Sequence, residues 1–498
     1  MPYYLTTPIY YVNAEPHLGH AYTTIAADVV ARHMRQRGEE VFFLTGTDEH
    51  GEPVAQAAER LGMTPQQLVD QNAPKFQDLV EKMGATNDFF VRTSDDEHKK
   101  AVQEVLQRVH DAGHVYDGHY EGYYCPRCAD FKTDAELVDG NKCPIHLIVL
   151  EREVEDNWFF KLSEFQEPLE RWYAEHPEWV LPDFRYNEAL SFIRQGLQDI
   201  SLTRQRISWG VEVPWDETQV FYVWFDALLN YYTALTYAPG ASLEKFWPPN
   251  VQLLAKDILK FHAVIWPALL MAADLPLPKQ LYIHGYLLMD EHKMSKSLGN
   301  VIDPFQIIEK FGTDALRFYL MREVSFGQDG NVSTEGFENR YTTELANEYG
   351  NLASRSLAMV ERYREGEVTR PSGSPPLAES FAGIAEAVCG KLDRIDVTGA
   401  LEEIWQRIRA LNAYVASEQP WQIAKDSEKA EHLDAVLYTL AEGMRVLSIL
   451  LHPWIPDATD KLLASIGEER RDIAAATFGD WAGGKVSKIE PLFPRVDG

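Results

Sequence analysis

At the start of the chain, the spacing of apolar and polar positions changes from the period of a strand to that of a helix and back. It predicts a strand from Tyr3 to Ile9, followed by a turn with Asn13 and Pro16. A helix is predicted from about His17 to Arg37 and a second strand from Val41 to Thr45. This order is typical of a parallel sheet, which binds ligands at the carboxyl ends of its strands.

Further helix signals continue the pattern to about residue 113. One helix is predicted near Gly51, and another at Thr64-Pro65, where threonine suits the cap and proline the first turn. Ser94 to Glu97 has the spacing of a capping box and predicts a third helix. From about 114 to 222 the pattern breaks into short segments rich in Gly, Tyr, Cys and Pro, which we interpret as an insertion.

The alternation of strands and helices resumes after this insertion, with Val220 to Asp226. Strands are predicted from Val251 to Ala255 and from Gln280 to His284, with a helix from about Asp257 to Ala273 between them. The fold class is therefore α/β, with a parallel-sheet domain split by the insertion.

The rest of the chain has a mostly helical pattern. Asp303-Pro304 and Thr313-Asp314 predict two helix starts, and Arg370 to Pro376 is a Pro- and Ser-rich linker within an all-helical domain. The predicted parts are the first half of the α/β domain (1–113), the insertion (114–222), the second half of the α/β domain (223–290), a lysine-bearing loop with the segment after it (291–345), and the helical domain (346–498).

The composition is that of a globular protein, since 45% of the 498 residues are hydrophobic and 25% are charged. The formal net charge of -29 is opposite to the basic footprint of a typical nucleic-acid binder, although local basic strips can still bind a polyanion. The sequence has no signal-peptide pattern and no apolar stretch near the roughly 18 residues of a membrane span. We therefore predict a soluble cytoplasmic protein without membrane contact.

Three of the four cysteines are close together in the sequence. Cys125-Pro-Arg-Cys128 and Cys143-Pro-Ile-His146 form two pairs, with about fourteen residues between them. Three sulfurs and one imidazole nitrogen suit a tetrahedral zinc ion. Because protein ligands would fill all four positions, we predict one structural zinc ion in preference to a catalytic one.

Two short motifs contain groups that suit a triphosphate. His17-Leu-Gly-His20 is predicted at a helix N-terminus, where backbone N–H groups attract phosphate, Gly19 permits close approach, and both imidazoles can donate to phosphoryl oxygens. The alternative for this motif alone is two ordinary helix histidines.

The second motif, Lys293-Met-Ser-Lys-Ser297, offers two cations and two hydroxyl groups on a loop that could close on a triphosphate. Lys293 and Lys296 would stabilise the charge on departing pyrophosphate. A solvated charged turn is the alternative. Each of the two motifs follows a predicted strand, and their joint presence favours the phosphate interpretation.

The pair of motifs resembles the signatures of class I aminoacyl-tRNA synthetases, with Leu18 in place of the more usual isoleucine. Further segments are similar to methionyl-tRNA synthetases, and the resemblance covers essentially the whole chain. These segments are Pro8 to Asn13, Thr45 to Gly51, Tyr222 to Ala227, Lys256 to His262 with Trp266, and Asn351 to Arg355.

The resemblance implies a Rossmann-type nucleotide-binding catalytic domain with a zinc-binding insertion, followed by an all-α anticodon-binding domain. It also implies a methionine-tRNA ligase that forms methionyl-adenylate and pyrophosphate from L-methionine and Mg-ATP. It then transfers methionine to the 3′ end of initiator and elongator methionine tRNA. The implied ATP site contains His17, Gly19, His20, Lys293, Ser295 and Lys296. The implied methionine pocket is lined by Ile9, Tyr11, Trp224, Tyr231, His262 and Trp266, with Asp48 receiving the α-ammonium group.

Physical chemistry agrees with this pocket, because thioether sulfur packs well against aromatic edges and an unbranched apolar substrate needs a slot with little water. Plain core packing is the alternative for each aromatic residue. Asp257 and Arg204 also match family positions near the site.

Four residues of the helical domain are candidates for base recognition. Asn347, Asn351 and Arg355 are spaced four apart and share a helix face, and Trp421 could stack on an unpaired base. In the family, the matching positions contact the CAU anticodon, and the segment 291–345 contacts the tRNA stem. Core packing of Trp421 and a solvated helix face are the alternatives without the resemblance.

Related enzyme classes fit less well. Leucine, isoleucine and valine synthetases usually carry an editing insertion larger than the roughly 110 residues here. A cysteine synthetase would hold zinc in its amino-acid pocket, a small adenylyltransferase would lack the helical domain, and a non-catalytic tRNA-binding paralogue disagrees with the intact lysine motif. The resemblance implies the single-zinc type without the optional C-terminal dimerisation domain, so we predict a monomer.

Overall fold

The structure is a computed structural model that describes residues 1–125, 130–132, 134–145, 147–289, 292–293 and 303–495. Its first region alternates strands and helices as predicted. In chain order the elements are β1 (Pro2–Tyr11), α1 (Leu18–Gln36), β2 (Glu40–Asp48), α2 (Glu52–Leu61), α3 (Pro65–Lys82), β3 (Phe89–Arg92) and α4 (Asp96–Asp111).

The next region is mainly antiparallel. Its strands are β4 (Val115–Cys125), β5 (Asp130–Lys132), β6 (Glu151–Phe160), β7 (Val180–Leu181), β8 (Ile200–Ser201), β9 (Thr203–Arg204), β10 (Glu212–Val213) and β11 (Asp216–Phe221). Its helices are α5 (Gln166–Glu175) and α6 (Asp183–Arg194), with short 3₁₀ turns at Asp134–Glu136 and Leu162–Phe165. Strands β5, β4, β6 and β8 form one sheet in that order, and β10, β11 and β9 form another.

The α/β pattern then returns. The elements are α7 (Val223–Leu228), α8 (Asn230–Tyr237), α9 (Leu243–Phe246), β12 (Val251–Ala255), a 3₁₀ turn (Lys256–Ile258), a π-helical turn (Phe261–Ile265), α10 (Trp266–Ala272) and β13 (Leu281–His284). Within the described residues, the central sheet is parallel and has the order β3-β2-β1-β12-β13-β7.

The predicted insertion range contributes to this sheet, since its short strand β7 pairs with β13 at the edge. Residues along the inner strands alternate between two apolar cores, because successive side chains in a strand point to opposite faces. Leu5 and Leu253 belong to the core beneath α1, whereas Tyr4 and Leu254 belong to the core beneath α4, α8 and α10.

The remainder begins with a small sheet and continues as helices. Its elements are β14 (Leu287–Met289), β15 (His292–Lys293), α11 (Pro304–Phe311), α12 (Thr313–Glu323), β16 (Gly330–Asn331), α13 (Thr334–Arg340), a π-helical segment (Tyr341–Gly350), α14 (Asn351–Arg364), β17 (Glu367–Thr369), α15 (Ala378–Phe381), α16 (Ile384–Leu392), α17 (Val397–Glu418), α18 (Pro420–Ile423), a 3₁₀ turn (Ser427–Lys429), α19 (Ala430–Leu451), α20 (Pro456–Ile466), a 3₁₀ turn (Ile473–Ala475) and β18 (Gly483–Lys485).

The helical region and the α1 face of the sheet share one apolar core. This core includes Ile25 of α1, Phe318 of α12 and Trp405 of α17, all fully buried. Helix α1, which begins at the motif His17 to His20, therefore packs against the helical region. In the part of the chain that the structure describes, no helix is both long and apolar enough to cross a membrane.

Two local predictions differ from the structure. The predicted helix from Asp257 to Ala273 is divided into a 3₁₀ turn, a π-helical turn and α10. Pro267 has no N–H to donate in the first turn of α10, which explains the irregular turn before it. The predicted capping box at Ser94 is wrong, because the Ser94 hydroxyl donates to Glu49 and the N-cap is Asp95, whose side chain accepts no hydrogen bond from the first turn of the helix.

Candidate active site

A cavity of about 340 Å³ opens at the carboxyl ends of β1, β12 and β13. It is lined by the last residues of β1, the turn after them, the first turns of α1, and the loops that follow β12 and β13. This is the edge at which a parallel sheet of this kind binds its ligand. The cavity lining includes five of the predicted site residues, namely Ile9, Tyr11, His17, Gly19 and His20.

His17 and His20 form a reciprocal cap at the start of α1. The backbone N–H of Gly19 donates to His17 Nδ1, and the backbone N–H of His17 donates to His20 Nδ1, both at 3.1 Å. The two rings stack with centroids 3.8 Å apart. Because each Nδ1 accepts a hydrogen bond, the proton of each neutral imidazole lies on Nε2, where it can be donated to an anion.

Gly19 is required by the close approach of its neighbours. A Cβ at this position would lie 3.0 Å from His17 Cε1 and 3.1 Å from Nδ1. Any larger residue must therefore displace the His17 ring or lose the hydrogen bond that orients it. The backbone N–H groups at this helix start, with the helix dipole, favour a phosphate.

His284 is a cavity residue that the sequence analysis missed. It ends β13, its Nδ1–H donates to the Gly285 carbonyl at 2.8 Å, and its Nε2 is 2.8 Å from Thr23 Oγ1. Burial lowers the pKa of His284 to about 4, so the ring is neutral at pH 7. Its place at the carboxyl end of a predicted central strand is the signal that could have identified it.

Aromatic rings form the wall next to Tyr11. Trp224 stacks on Phe261 with centroids 3.8 Å apart and planes 10° apart, and the edge of Tyr11 contacts Trp224 at 6.3 Å between centroids. The Trp224 Nε1–H and the Tyr11 hydroxyl are buried without a hydrogen-bond partner among the described residues. Such unsatisfied donors point to a polar ligand group beside an apolar wall.

Three further residues of the predicted pocket are nearly fully buried and are not among the residues that line the cavity: Tyr231, His262 and Trp266. His262 Nδ1–H donates to the Ile258 carbonyl at 3.1 Å, and the Tyr231 hydroxyl donates to His262 Nε2 at 2.8 Å. Burial lowers the pKa of His262 to about 4, which keeps the ring neutral and this tautomer fixed. Trp266 packs against Tyr231 with centroids 5.9 Å apart.

Asp48 ends β2 and is only 2% exposed. Its Oδ1 has no hydrogen-bond partner among the described residues. Burial, and then the negative charge of Asp226, raises the pKa of Asp48 well above the usual range. A buried carboxyl group with an unused oxygen suits a cationic ligand group, which would favour its ionised form.

Asp257 and Arg204, the two further residues that match family positions near the site, lie in different places. Asp257 lines the cavity on the 3₁₀ turn after β12. Arg204 is buried, and its Nη1 donates to the Ser201 hydroxyl at 2.9 Å and the Thr203 carbonyl at 2.8 Å. Its guanidinium group also lies over the Tyr222 ring at 4.0 Å.

Comparison with known proteins decides the family. A protein-family model described as class I tRNA synthetases (M) matches residues 3–150 and 142–357 of the sequence. Two relatives named methionine-tRNA ligase, from Caldanaerobacter subterraneus and Streptomyces coelicolor, are 42% and 44% identical. Each alignment covers 99% of this chain, with 79% of the first relative and 97% of the second. The chain belongs to the class I methionine-tRNA ligases.

Solved structures of the family agree with this membership. The methionyl-tRNA synthetase of Mycobacterium tuberculosis in complex with methionyl-adenylate superposes with a TM-score of 0.95 at 38% identity, covering 99% of this chain and all of that one. The apo form of the same enzyme gives a TM-score of 0.88 at 35% identity, with 100% and 98% coverage. The α/β catalytic core and the helical region of a methionine-tRNA ligase are therefore confirmed.

Only part of the predicted zinc site can be compared with the structure. Cys125, at the end of β4, and Cys143 are both fully buried and share a small cluster with Leu150. Their burial in one cluster fits two ligands of a common metal. Cys128 and His146 lie outside the described residues. The described part of the chain contains no group of three candidate ligands, and the complete set stays a prediction.

The lysine motif is likewise described only at its start. The backbone of Lys293 pairs with Leu288 of β14, one residue beyond Leu287 in the cavity lining. Ser295 and Lys296 lie outside the described residues. The motif thus begins beside the cavity, and the roles of its side chains stay predictions.

The four candidate anticodon residues lie at the surface of the helical region. Asn347 in the π-helical segment and Asn351 and Arg355 in α14 are exposed, and Trp421 is 40% exposed on α18. Arg355 donates to Asn412 of α17 at 3.2 Å. Solvent exposure of Trp421 excludes the core interpretation, and an RNA contact stays a prediction.

Proposed function

We propose that this chain activates L-methionine with ATP and transfers the methionyl group to methionine tRNA. The observation that carries the proposal is the unpartnered Oδ1 of buried Asp48. Asp48 pairs in the sheet with Tyr11, which lines the cavity together with the start of α1. The M. tuberculosis relative in complex with methionyl-adenylate supports the same pairing of amino acid and nucleotide.

In the first step, a methionine carboxylate oxygen attacks the α-phosphorus of ATP, forms the mixed anhydride and expels pyrophosphate. Asp48 holds the α-ammonium group, and the wall of Tyr11, Trp224 and Phe261 accommodates the thioether chain. The Nε2–H groups of His17 and His20 donate to phosphoryl oxygens as their charge develops. Mg²⁺ accompanies ATP and neutralises part of its charge.

Lys293 and Lys296 would stabilise the departing pyrophosphate from the lysine motif that begins beside the cavity. In the second step, a hydroxyl of the terminal tRNA ribose attacks the methionyl carbonyl and AMP leaves. The enzyme forms no covalent intermediate. The proposed partners are initiator and elongator methionine tRNA, bound in part through Asn347, Asn351, Arg355 and Trp421.

The proposed zinc ion is structural and would be held by Cys125, Cys128, Cys143 and His146. It would join the segments that follow β4 and precede β6, and so fix the tip of the antiparallel region.

Cytoplasmic localisation and a monomeric state stay predictions. Light scattering checks the monomer, with a mass near 56.8 kDa expected and a mass near twice this value contradicting it.

The test is amino-acid-dependent exchange of labelled pyrophosphate into ATP, measured for each of the twenty amino acids without tRNA. We expect exchange with methionine and none above background with leucine, isoleucine, valine or cysteine. Exchange with another amino acid in preference to methionine overturns the assignment. Tight tRNA binding without any exchange favours the non-catalytic paralogue.

A further inference from the structure

A buried cluster of four polar side chains lies behind the amino-acid pocket, and the sequence motifs did not identify it. We name it the His50 cluster; its members are His50 after β2, His98 of α4, Asp226 of α7 and Thr233 of α8. Each member is at most 1% exposed. Polar side chains at this depth are costly unless they are fully hydrogen-bonded, which makes their arrangement informative.

Asp226 is the centre of this cluster. Its Oδ2 is 2.5 Å from His50 Nδ1 and its Oδ1 is 2.7 Å from His98 Nε2, so each carboxylate oxygen accepts from one imidazole. His98 Nδ1 is 2.6 Å from Thr233 Oγ1. Burial would raise the pKa of Asp226, but the two imidazoles outweigh it and lower the pKa to about 2. The cluster therefore holds a buried anion with both oxygens occupied.

Members of the cluster are close in sequence to residues of the predicted methionine pocket. Three of its members each lie two positions along the chain from a pocket residue. The pairs are His50 with Asp48, Asp226 with Trp224, and Thr233 with Tyr231. Three separate segments that supply the predicted pocket are thus joined by hydrogen bonds between side chains.

His50 provides the most direct link to the pocket. His50 follows Asp48 by two residues, and its ring is held by Asp226. Asp48 and Asp226 are also close enough that their negative charges interact. A displacement of the His50 ring would therefore move the backbone that leaves β2 at Asp48.

We propose that the His50 cluster is a positioning device that holds Asp48 in the orientation needed to receive the α-ammonium group. This inference rests on the proposed function and adds to it a basis for selecting amino acids over ligands without an ammonium group. His50, His98 and Asp226 are positioning residues, since they act on the ligand through Asp48. Because His50 is the member next to Asp48, its substitution should weaken binding of the ammonium group more than binding of the thioether chain.

The test compares two ligands on matched variants. L-Methionine carries the ammonium group, whereas 4-(methylthio)butanoate is the same molecule without it. His50→Leu removes the donor to Asp226, whereas His50→Asn offers an amide N–H near the position of Nδ1. We expect His50→Leu to raise the Kd of methionine by about 10-fold or more and the Kd of the analogue by less than about 2-fold, whereas His50→Asn retains most of the methionine affinity.

The control is Glu442→Gln, which perturbs a comparably buried ion pair with Arg445 in the helical region. It should leave the ratio of the two Kd values unchanged. Equal weakening of both ligands by His50→Leu, or no weakening of either, overturns the proposal, because a merely structural role does not distinguish an ammonium group.

If circular dichroism shows that His50→Leu does not fold, His98→Leu and His98→Gln supply the same comparison at the other imidazole. The glutamine amide can donate to Asp226 where His98 Nε2 does, so only the leucine variant should lose discrimination. Failure of the wild type to exchange pyrophosphate with methionine contradicts the proposed function itself. An active wild type with an unchanged Kd ratio in all variants contradicts this inference alone.

Discussion

Arg317 of α12 donates through Nη2 to the Asp28 carboxylate of α1 at 2.7 Å, with both side chains fully buried. The same guanidinium donates to the carbonyl groups of Met83, Pro453 and Trp454. Arg317 thus joins α1, the helix that begins after His17, to the segment between α19 and α20. Arg suits this position because its five donors can satisfy several buried acceptors at once.

Arg317→Leu is expected to lower the free energy of unfolding by about 3–5 kcal/mol, because it leaves a buried carboxylate and three carbonyl groups without this donor. Equilibrium unfolding in urea measures the change. Lys99→Leu, which breaks an ion pair with exposed Asp96, is the control and should lower the free energy of unfolding far less, because water screens this pair. Similar losses of unfolding free energy in both variants would contradict the stabilising role of the Arg317 contacts.

Asp314 should make stability depend on pH. It accepts from the backbone N–H of Ala458 at 2.7 Å, and burial raises its pKa from 3.8 to about 6. Between these values the folded state binds more protons than the unfolded state, so this group's contribution to the free energy of unfolding falls as pH rises from about 4 to about 6.

Asp314→Asn keeps an oxygen acceptor for Ala458 and removes the titration. As pH rises through this range, we expect the free energy of unfolding of the variant to increase relative to that of the wild type. Urea unfolding at pH 4, 5, 6 and 7 provides the measurement. A difference that is constant with pH would show that Asp314 does not titrate in this range.

Gly19→Ala should impair nucleotide binding and leave methionine binding intact. The added Cβ would lie 3.0 Å from the His17 ring and would displace a side chain that the Gly19 N–H now orients. We expect the KM for ATP in pyrophosphate exchange to rise by about 10-fold or more, with the Kd of methionine within about 2-fold. Gly390→Ala is the control, because a Cβ there meets nothing within 4 Å.

Cys143→Ser should remove the predicted zinc ion. Metal analysis of the wild type is expected to give about one zinc ion per chain, and the variant markedly less, because serine is a poor ligand for zinc. Cys389→Ser tests the cysteine outside the predicted set and should keep the metal. Zinc retained by Cys143→Ser, or none in the freshly purified wild type, would contradict the predicted ligand set.

Arg355→Ala should separate the two steps of the reaction. Pyrophosphate exchange does not require tRNA and should be unchanged, whereas the KM for methionine tRNA should rise by about 10-fold through the lost contacts to bases. Arg394→Ala removes an exposed arginine elsewhere in the helical region and provides a charge-matched control. Equal effects of the two substitutions would indicate general electrostatic attraction in place of base recognition.

Local signals predicted much of the fold. Thr64 and Gln67 form the capping box that opens α3, and the predicted strand from Val251 to Ala255 agrees with β12 at both ends. These elements are determined by short-range patterns of apolar residues and helix caps. The predicted place of His17 at the helix start was confirmed for the same reason.

Features that depend on distant contacts were not predictable in the same way. Strand β7 has two residues and is recognisable only through its pairing with β13. The His50 cluster joins Asp226 to His50 and His98 across separations of 176 and 128 residues, and neither spacing nor composition indicates such contacts. Sequence alone likewise identified the pocket residues through resemblance and could not show that Asp48 Oδ1 lacks a partner.

The most direct test of the proposed function is aminoacylation of an unfractionated bacterial tRNA pool in the presence of ATP, Mg²⁺ and all twenty amino acids. Mass spectrometry then identifies both the amino acid attached and the tRNA that carries it. The proposal predicts methionine on initiator and elongator methionine tRNAs and no other product. Attachment of a different amino acid, or methionine on tRNAs without a CAU anticodon, would contradict it.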